Sequence, residues 1–174
     1  DQLQHNVVHR VLAKLEENAL LDAVYTQNID MLHHQAGSKN VYEIHGTMAS
    51  LSCLNCSSKY NFADMKKIVA EGKVPYCEKC NGLIKPDVIF FGEGLNMKLL
   101  EKARNDFSQA DLVLVLGSSL TVEPAASFPL MTVRNKGKMV IVNSQKTPYD
   151  DLAIMRFNDL KSVFNEIEKK LDNK

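Results

Sequence analysis

Apolar side chains recur every three to four residues over positions 5–19, at Val7, Val8, Val11, Leu12 and Leu15, a spacing that predicts an amphipathic helix. The same period returns over 159–171 with Leu160, Val163, Phe164, Ile167 and Leu171, behind Asp159 as a suitable N-cap. Between these helices the pattern changes. "DLVLVLG" (111–117) and "MVIVN" (139–143) are unbroken apolar runs of strand length, as expected of parallel strands covered on both faces, and each ends in small or polar residues. "LLDAV" (20–24) and "VYEI" (41–44) read as short buried strands, and "MKLLEKARNDF" (97–107) as a helix. Strand, polar turn and helix in alternation predict an α/β fold: a doubly wound parallel sheet that binds ligands at the carboxyl ends of its strands.

That geometry gives the polar segments a use. "TQNIDMLHH" follows the strand ending "AVY", His45 follows "VYEI", and "GSSL" follows "LVLVL". Each sits where the loop after a parallel strand opens onto the ligand crevice. Gly117, Ser118 and Ser119 place a glycine and two hydroxyls where a nucleotide can approach closely. His5 and His9 lie four apart on the first helix with no third ligand in sight and read as surface residues, while His33 and His34 read as turn residues.

Composition narrows the chemistry. Twenty-one basic residues balance twenty-one acidic ones among 174, so nothing points to nucleic acid or an anionic membrane surface as a partner. No apolar run approaches the ~18 residues of a membrane span, and "DQLQHNVVHR" lacks signal-peptide character, so a cytoplasmic protein is the expectation, with the nucleus the alternative in a eukaryote. The four cysteines, Cys53, Cys56, Cys77 and Cys80, form two C-x2-C knuckles twenty residues apart. Two such knuckles can complete the four-thiolate tetrahedron that zinc prefers. A disulfide framework and four unrelated thiols are the alternatives. With all positions filled by cysteine the metal would be structural, one per chain, in a module at 47–85 inserted within the doubly wound domain made of 1–46 and 86–174.

"TQNID", "HQAGS", "EIHG", the paired knuckles, "KPDVIFFGE", "GSSLTVEPAA" and "IVNSQKTPYDDLA", in that order, resemble the sirtuin family of NAD-dependent protein lysine deacylases. The resemblance implies a Rossmann-type domain with an inserted zinc module, and acyl-lysine peptides or proteins as partners in the cleft between them. It implies an NAD-consuming reaction that yields nicotinamide, 2'-O-acyl-ADP-ribose and free lysine. His45 matches the general base, an assignment suited to an imidazole that titrates near neutral pH. Asn28 and Asp30 match the nicotinamide pocket, with Ile29 between them and Gln27 toward the ribose. Gly117, Ser118 and Ser119 match the adenosine-side loop, and Asn143 with Ser144 the segment near the adenine ribose. Ile89, Phe91 and Val122 would form the apolar tunnel for the lysine stem and acyl group, with Gly92 and Glu93 closing the strand-like run; a plain core strand is the competing reading of "DVIFF".

Family members open with a strand and a glycine-rich loop that wraps the NAD pyrophosphate, and nothing in 1–174 matches it. The expectation is therefore that this sequence is a piece of a longer protein and that alone it does not turn over NAD at a useful rate. Two other functions stay open on sequence: a non-catalytic acyl-lysine binding module, and ADP-ribosyl transfer to a protein side chain.

Overall fold

The computed structural model describes residues 3–173. Helix α1 (Val7–Glu17) starts at Asn6, whose side chain accepts from Val8 N and pairs with His9 in a reciprocal cap. Strands β1 (Val24–Thr26) and β2 (Val41–Glu43) run parallel, joined through the short helix α2 (Leu32–Gln35). Next come β3 (Gly46–Cys53), β4 (Lys59–Asn61), helix α3 (Phe62–Ala70) and β5 (Ile84–Val88), the strands forming an antiparallel sheet with β3 in the middle. Helix α4 (Met97–Gln109), β6 (Leu112–Leu116), helix α5 (Phe128–Arg134), β7 (Lys138–Val142), β8 (Met155–Phe157) and helix α6 (Leu160–Asp172) complete the chain. Strands β6, β7 and β8 are all parallel.

The apolar runs end up covered on both sides, as their pattern predicts. Within β6, Val113 and Val115 pack with Met139, Ile141, Phe107 of α4 and Val133 of α5. Leu116, on the opposite face by the two-residue strand period, joins Val11, Leu12 and Phe164 between α1 and α6. Helices therefore lie on both faces of the parallel strands, the doubly wound arrangement. Val11 and Phe164 are buried, each contributing about 1.5–3 kcal/mol through removal from water. Asp159 caps α6 by accepting from Lys161 N and Ser162 N. Among the described residues the parallel strands form two hydrogen-bonded sets, β1–β2 and β6–β7–β8, with no ladder between them.

His9 is buried, not a surface residue: its ring lies 4.7 Å from that of His33 on α2, and Asn6 Oδ1 lies 2.9 Å from its Nδ1. A polar residue on the apolar side of a helix is tolerated when the cap satisfies its ring nitrogen.

Candidate functional site

A cleft of about 610 Å³ opens where β1, β2 and β5 end. Gln27, Asn28, Ile29 and Asp30 enter it from the segment after β1, and His45 from the turn between β2 and β3. Ile89, Phe91, Gly92 and Glu93 enter after β5, and Val122 from the loop after β6. Ten residues singled out from sequence thus share one cavity.

His45 is oriented by the main chain. Its Nδ1 lies 3.2 Å from the carbonyl oxygen of Gln27, which can only accept, so Nδ1 carries the proton and Nε2 is the basic nitrogen. Asp30 Oδ1 accepts from Leu32 N, the first residue of α2, at 2.9 Å, leaving its second oxygen without a partner among the described residues. Asn28 N is tied to Thr26 Oγ1 at 3.1 Å. These bonds orient the His45 ring and the Asp30 carboxylate and hold the main chain at Asn28 before any ligand arrives.

The far wall is apolar and accessible. β5 stops at Val88, so Ile89–Phe91 is not a core strand: Phe91 is 98% exposed and Phe90 55%. A polar latch shapes this turn. Glu93 Oε2 accepts from Phe90 N at 2.9 Å and from Lys85 Nζ at 2.8 Å, while Lys85 also donates to Val88 O and lies 4.5 Å from the Phe90 ring centre. The Lys85 ammonium and the Phe90 N–H hold the Glu93 carboxyl below its ordinary range.

Gly117, Ser118, Ser119, Asn143 and Ser144 gather separately, at the ends of β6 and β7. Asn143 is buried and donates through Nδ2 to Ser118 O at 3.1 Å; Ser119 Oγ is 2.8 Å from Thr121 Oγ1, and Ser144 is exposed. Gln27 Nε2 reaches Ser118 Oγ at 3.4 Å, bridging this group to the cleft.

Residues 1–124 of the 174 match the family described as the Sir2 family. The chain belongs to the Sir2 family. It is 50% identical over 157 residues to the NAD-dependent protein deacetylase of Thermotoga maritima, covering 90% of this chain and 64% of that protein. The corresponding Staphylococcus epidermidis enzyme is 42% identical over 163 residues, covering 93% and 64%. The chain therefore spans a little under two thirds of these relatives. A Sir2 solved with a p53 peptide and NAD+ superposes with a TM-score of 0.95 at 45% identity, covering 99% of this chain and 72% of that one. A Sir2 bound to acetylated peptide superposes at 0.91 with 45% identity, covering 99% and 71%.

In this Sir2 chain the four cysteines meet. Their sulfurs all lie within 4.8 Å of one another, with Cys53–Cys80 and Cys56–Cys77 at 3.5 Å. Zinc–sulfur bonds of about 2.3 Å in a tetrahedron need sulfurs about 3.8 Å apart, so the donor set fits the ion. Gly82 leaves the room this requires, since a Cβ there would stand 2.9 Å from Cys53 Sγ. Tyr60 Oη donates to Cys77 Sγ at 3.0 Å and pulls that thiol down to about 6, favouring the thiolate a metal binds.

Sequence reasoning missed Phe90, Leu95 and Glu123, which also line the cleft, and Lys85, which shapes it. Phe90 had a signal in the doubled phenylalanine of "FFGE". Lys85 had none, because its partner lies eight residues away across a turn that sequence does not specify.

Proposed function

We propose that this chain serves NAD-dependent removal of acetyl or other acyl groups from protein lysines. The observation that carries the reading is the single cleft joining a main-chain-oriented histidine, the Gln27–Asp30 segment and the apolar Ile89–Glu93 turn. NAD, when bound, supplies a ribose carbon activated by loss of nicotinamide. Asn28 and the free oxygen of Asp30 hold the nicotinamide carboxamide, whose N–H groups need acceptors. Ile89, Phe91 and Val122 exclude water around the lysine stem and acyl group, while the peptide main chain lies extended along Gly92 and Glu93. His45 Nε2 takes the proton from a ribose hydroxyl, and Nδ1–H donating to Gln27 O keeps the ring in that tautomer. Gly117, Ser118, Ser119, Asn143 and Ser144 face the adenosine half, with Gln27 between the two ends. Cys53, Cys56, Cys77 and Cys80 hold one zinc that takes no part in the reaction. Residues 47–85 act as the zinc module, with its own apolar cluster of Leu51, Met65 and Ile84, and 1–46 with 86–174 act as the nucleotide-binding domain. Cysteines gathered for a metal, with no disulfide among them, suit the cytoplasm.

The test is nicotinamide release by the full-length protein with and without an acetyl-lysine peptide. Release should require the acylated peptide, and His45→Ala should cut turnover about a hundredfold or more. Release independent of acylated peptide would favour ADP-ribosyl transfer, and peptide binding without release a binding module. Wild-type turnover by His45→Ala would end the assignment of His45.

A further inference from the structure

After β7, Asn143 N still donates to Phe157 O of β8 at 2.9 Å, but from its carbonyl onward the polar groups sit on irregular backbone where no strand ladder fixes the direction of the carbonyls. One guanidinium does so from the neighbouring strand. Arg156 on β8 donates through Nη2 to Gln145 O at 2.7 Å and to Asn143 O at 3.2 Å, and through Nη1 to Asn158 Oδ1. Its Nε lies 2.9 Å from Asp150 Oδ2, close enough for an ion pair although the N–H does not point at the oxygen. Asp150 in turn accepts at Oδ1 from Thr147 Oγ1 at 2.7 Å and Thr147 N at 3.2 Å. The Thr147 bonds, reinforced by Arg156, hold its carboxyl below the ordinary range. The contacts run on inward: Asn143 Nδ2 donates to Gln145 O at 3.2 Å and to Ser118 O at 3.1 Å, so the loop after β7 holds the loop after β6.

We infer that Arg156 is a positioning residue for the nucleotide site: its planar fork sets the Asn143–Gln145 turn and, through Asn143, the Ser118 loop, at the angle at which the adenosine half of NAD is received. This rests on the proposal that these loops face adenosine. Arg156 lies outside the cleft and meets the residues assigned to the ligand only through the main-chain carbonyl of Asn143, so its effect passes through the two carbonyls it holds. The geometry demands arginine. A lysine keeps the charge but, with one nitrogen on a flexible stem, cannot reach two carbonyls, an amide oxygen and a carboxylate together.

The experiment compares the full-length protein as wild type, Arg156→Lys and Arg156→Ala by amide hydrogen exchange over 117–121 and 143–147, by NMR titration with NAD and AMP, and by affinity for an acetyl-lysine peptide. Both variants should exchange faster in both loops and bind NAD and AMP about tenfold more weakly, the loss expected for one hydrogen bond to a charged group. Peptide affinity should stay within about twofold, a result that general loosening of the fold would not give. Added guanidinium ion should recover part of the nucleotide affinity of Arg156→Ala but not of Arg156→Lys. Unchanged exchange in Arg156→Lys with normal nucleotide binding overturns the inference alone and leaves the proposed function standing. Loosened loops with undiminished nucleotide affinity overturn both the positioning role and the adenosine assignment, as would a wild-type protein that binds neither NAD nor AMP.

Discussion

Gly46 joins the histidine turn to β3, and adding one methyl group there should damage both stability and the cleft. Its φ of +78° lies in the left-handed region, where a residue with a Cβ is strained by about 1–2 kcal/mol. The added Cβ would stand 2.0 Å from the carbonyl oxygen of Asp87 and 3.1 Å from Val88 Cα, backbone atoms that no rotamer change can move. Relief requires β3 and β5 to separate by more than about 1 Å at the Gly46–Val88 rung, a shift in the range where overpacking costs about 1–3 kcal/mol. It also breaks the 2.9 Å bond from Ile89 N to His45 O, worth about 1 kcal/mol. Gly46→Ala should therefore cost about 3–6 kcal/mol, a large share of the 5–15 kcal/mol typical of a domain. Two nearby glycines separate the causes. Gly92→Ala, at φ +90° with nothing within 4 Å, should show the strain alone, and Gly94→Ala, in open space, should be close to neutral. Urea unfolding gives the ranking, and titration with an acetyl-lysine peptide reads the displacement of Ile89–Phe91 from His45. If Gly46→Ala costs no more than Gly92→Ala, backbone contact between β3 and β5 does not govern this turn.

Two further outcomes follow from the metal centre and the histidine pair. Elemental analysis should find one zinc per chain, and Cys77→Ser or a strong chelator should remove it and lower the urea midpoint; full stability without zinc would contradict the tetrahedral fit of the four sulfurs. Burial, with the neighbouring His9, pushes the His33 imidazole down from 6.5 to about 4. The unfolded chain then takes up a proton near pH 6.5 that the folded chain resists until about pH 4, so stability falls as pH drops through that window. The full shift corresponds to about 3 kcal/mol and partial exposure screens it to roughly 1–2 kcal/mol. His33→Gln should flatten the dependence, and an unchanged slope from pH 7 to 4.5 would refute it.

What the sequence made legible was whatever repeats on a short period or converges on one atom. The stripe on α6, its Asp159 cap and the covered runs of β6 and β7 depend on neighbours within a few residues, and the cysteine spacing already contains the tetrahedron. "DVIFF" was ambiguous because composition cannot say where a strand stops. It stops at Val88 because Glu93 and Lys85 fold the next residues into a turn, which is a contact across eight positions. The burial of His9 was hidden for a similar reason: its cap with Asn6 is local, but its packing on His33 is a contact across twenty-four positions. Arg156 was least visible of all, because its main partners are carbonyls that every residue has.

The cysteine centre and the cleft are two ends of one pair of strands. β3 leaves the His45 turn at Gly46 and reaches Cys53 seven residues later, a distance of about 23 Å along an extended chain. β5 returns from Ile84, four residues beyond Cys80, to Val88 beside the Ile89–Phe91 wall. One residue before that end, Asp87 accepts from Ser50 and Ser52 on β3 and from Lys59 on β4 at 2.9 Å; burial pushes its carboxyl up, but these bonds and the lysine charge bring it below the ordinary range, so it stays an anionic tie among three strands. A metal that fixes the far ends of β3 and β5 therefore restrains how the histidine turn and the apolar wall face each other without contacting either. Loss of zinc should then weaken peptide binding before the parallel strands unfold, because their core among α1, α6 and β6 shares no side chain with the cysteine cluster.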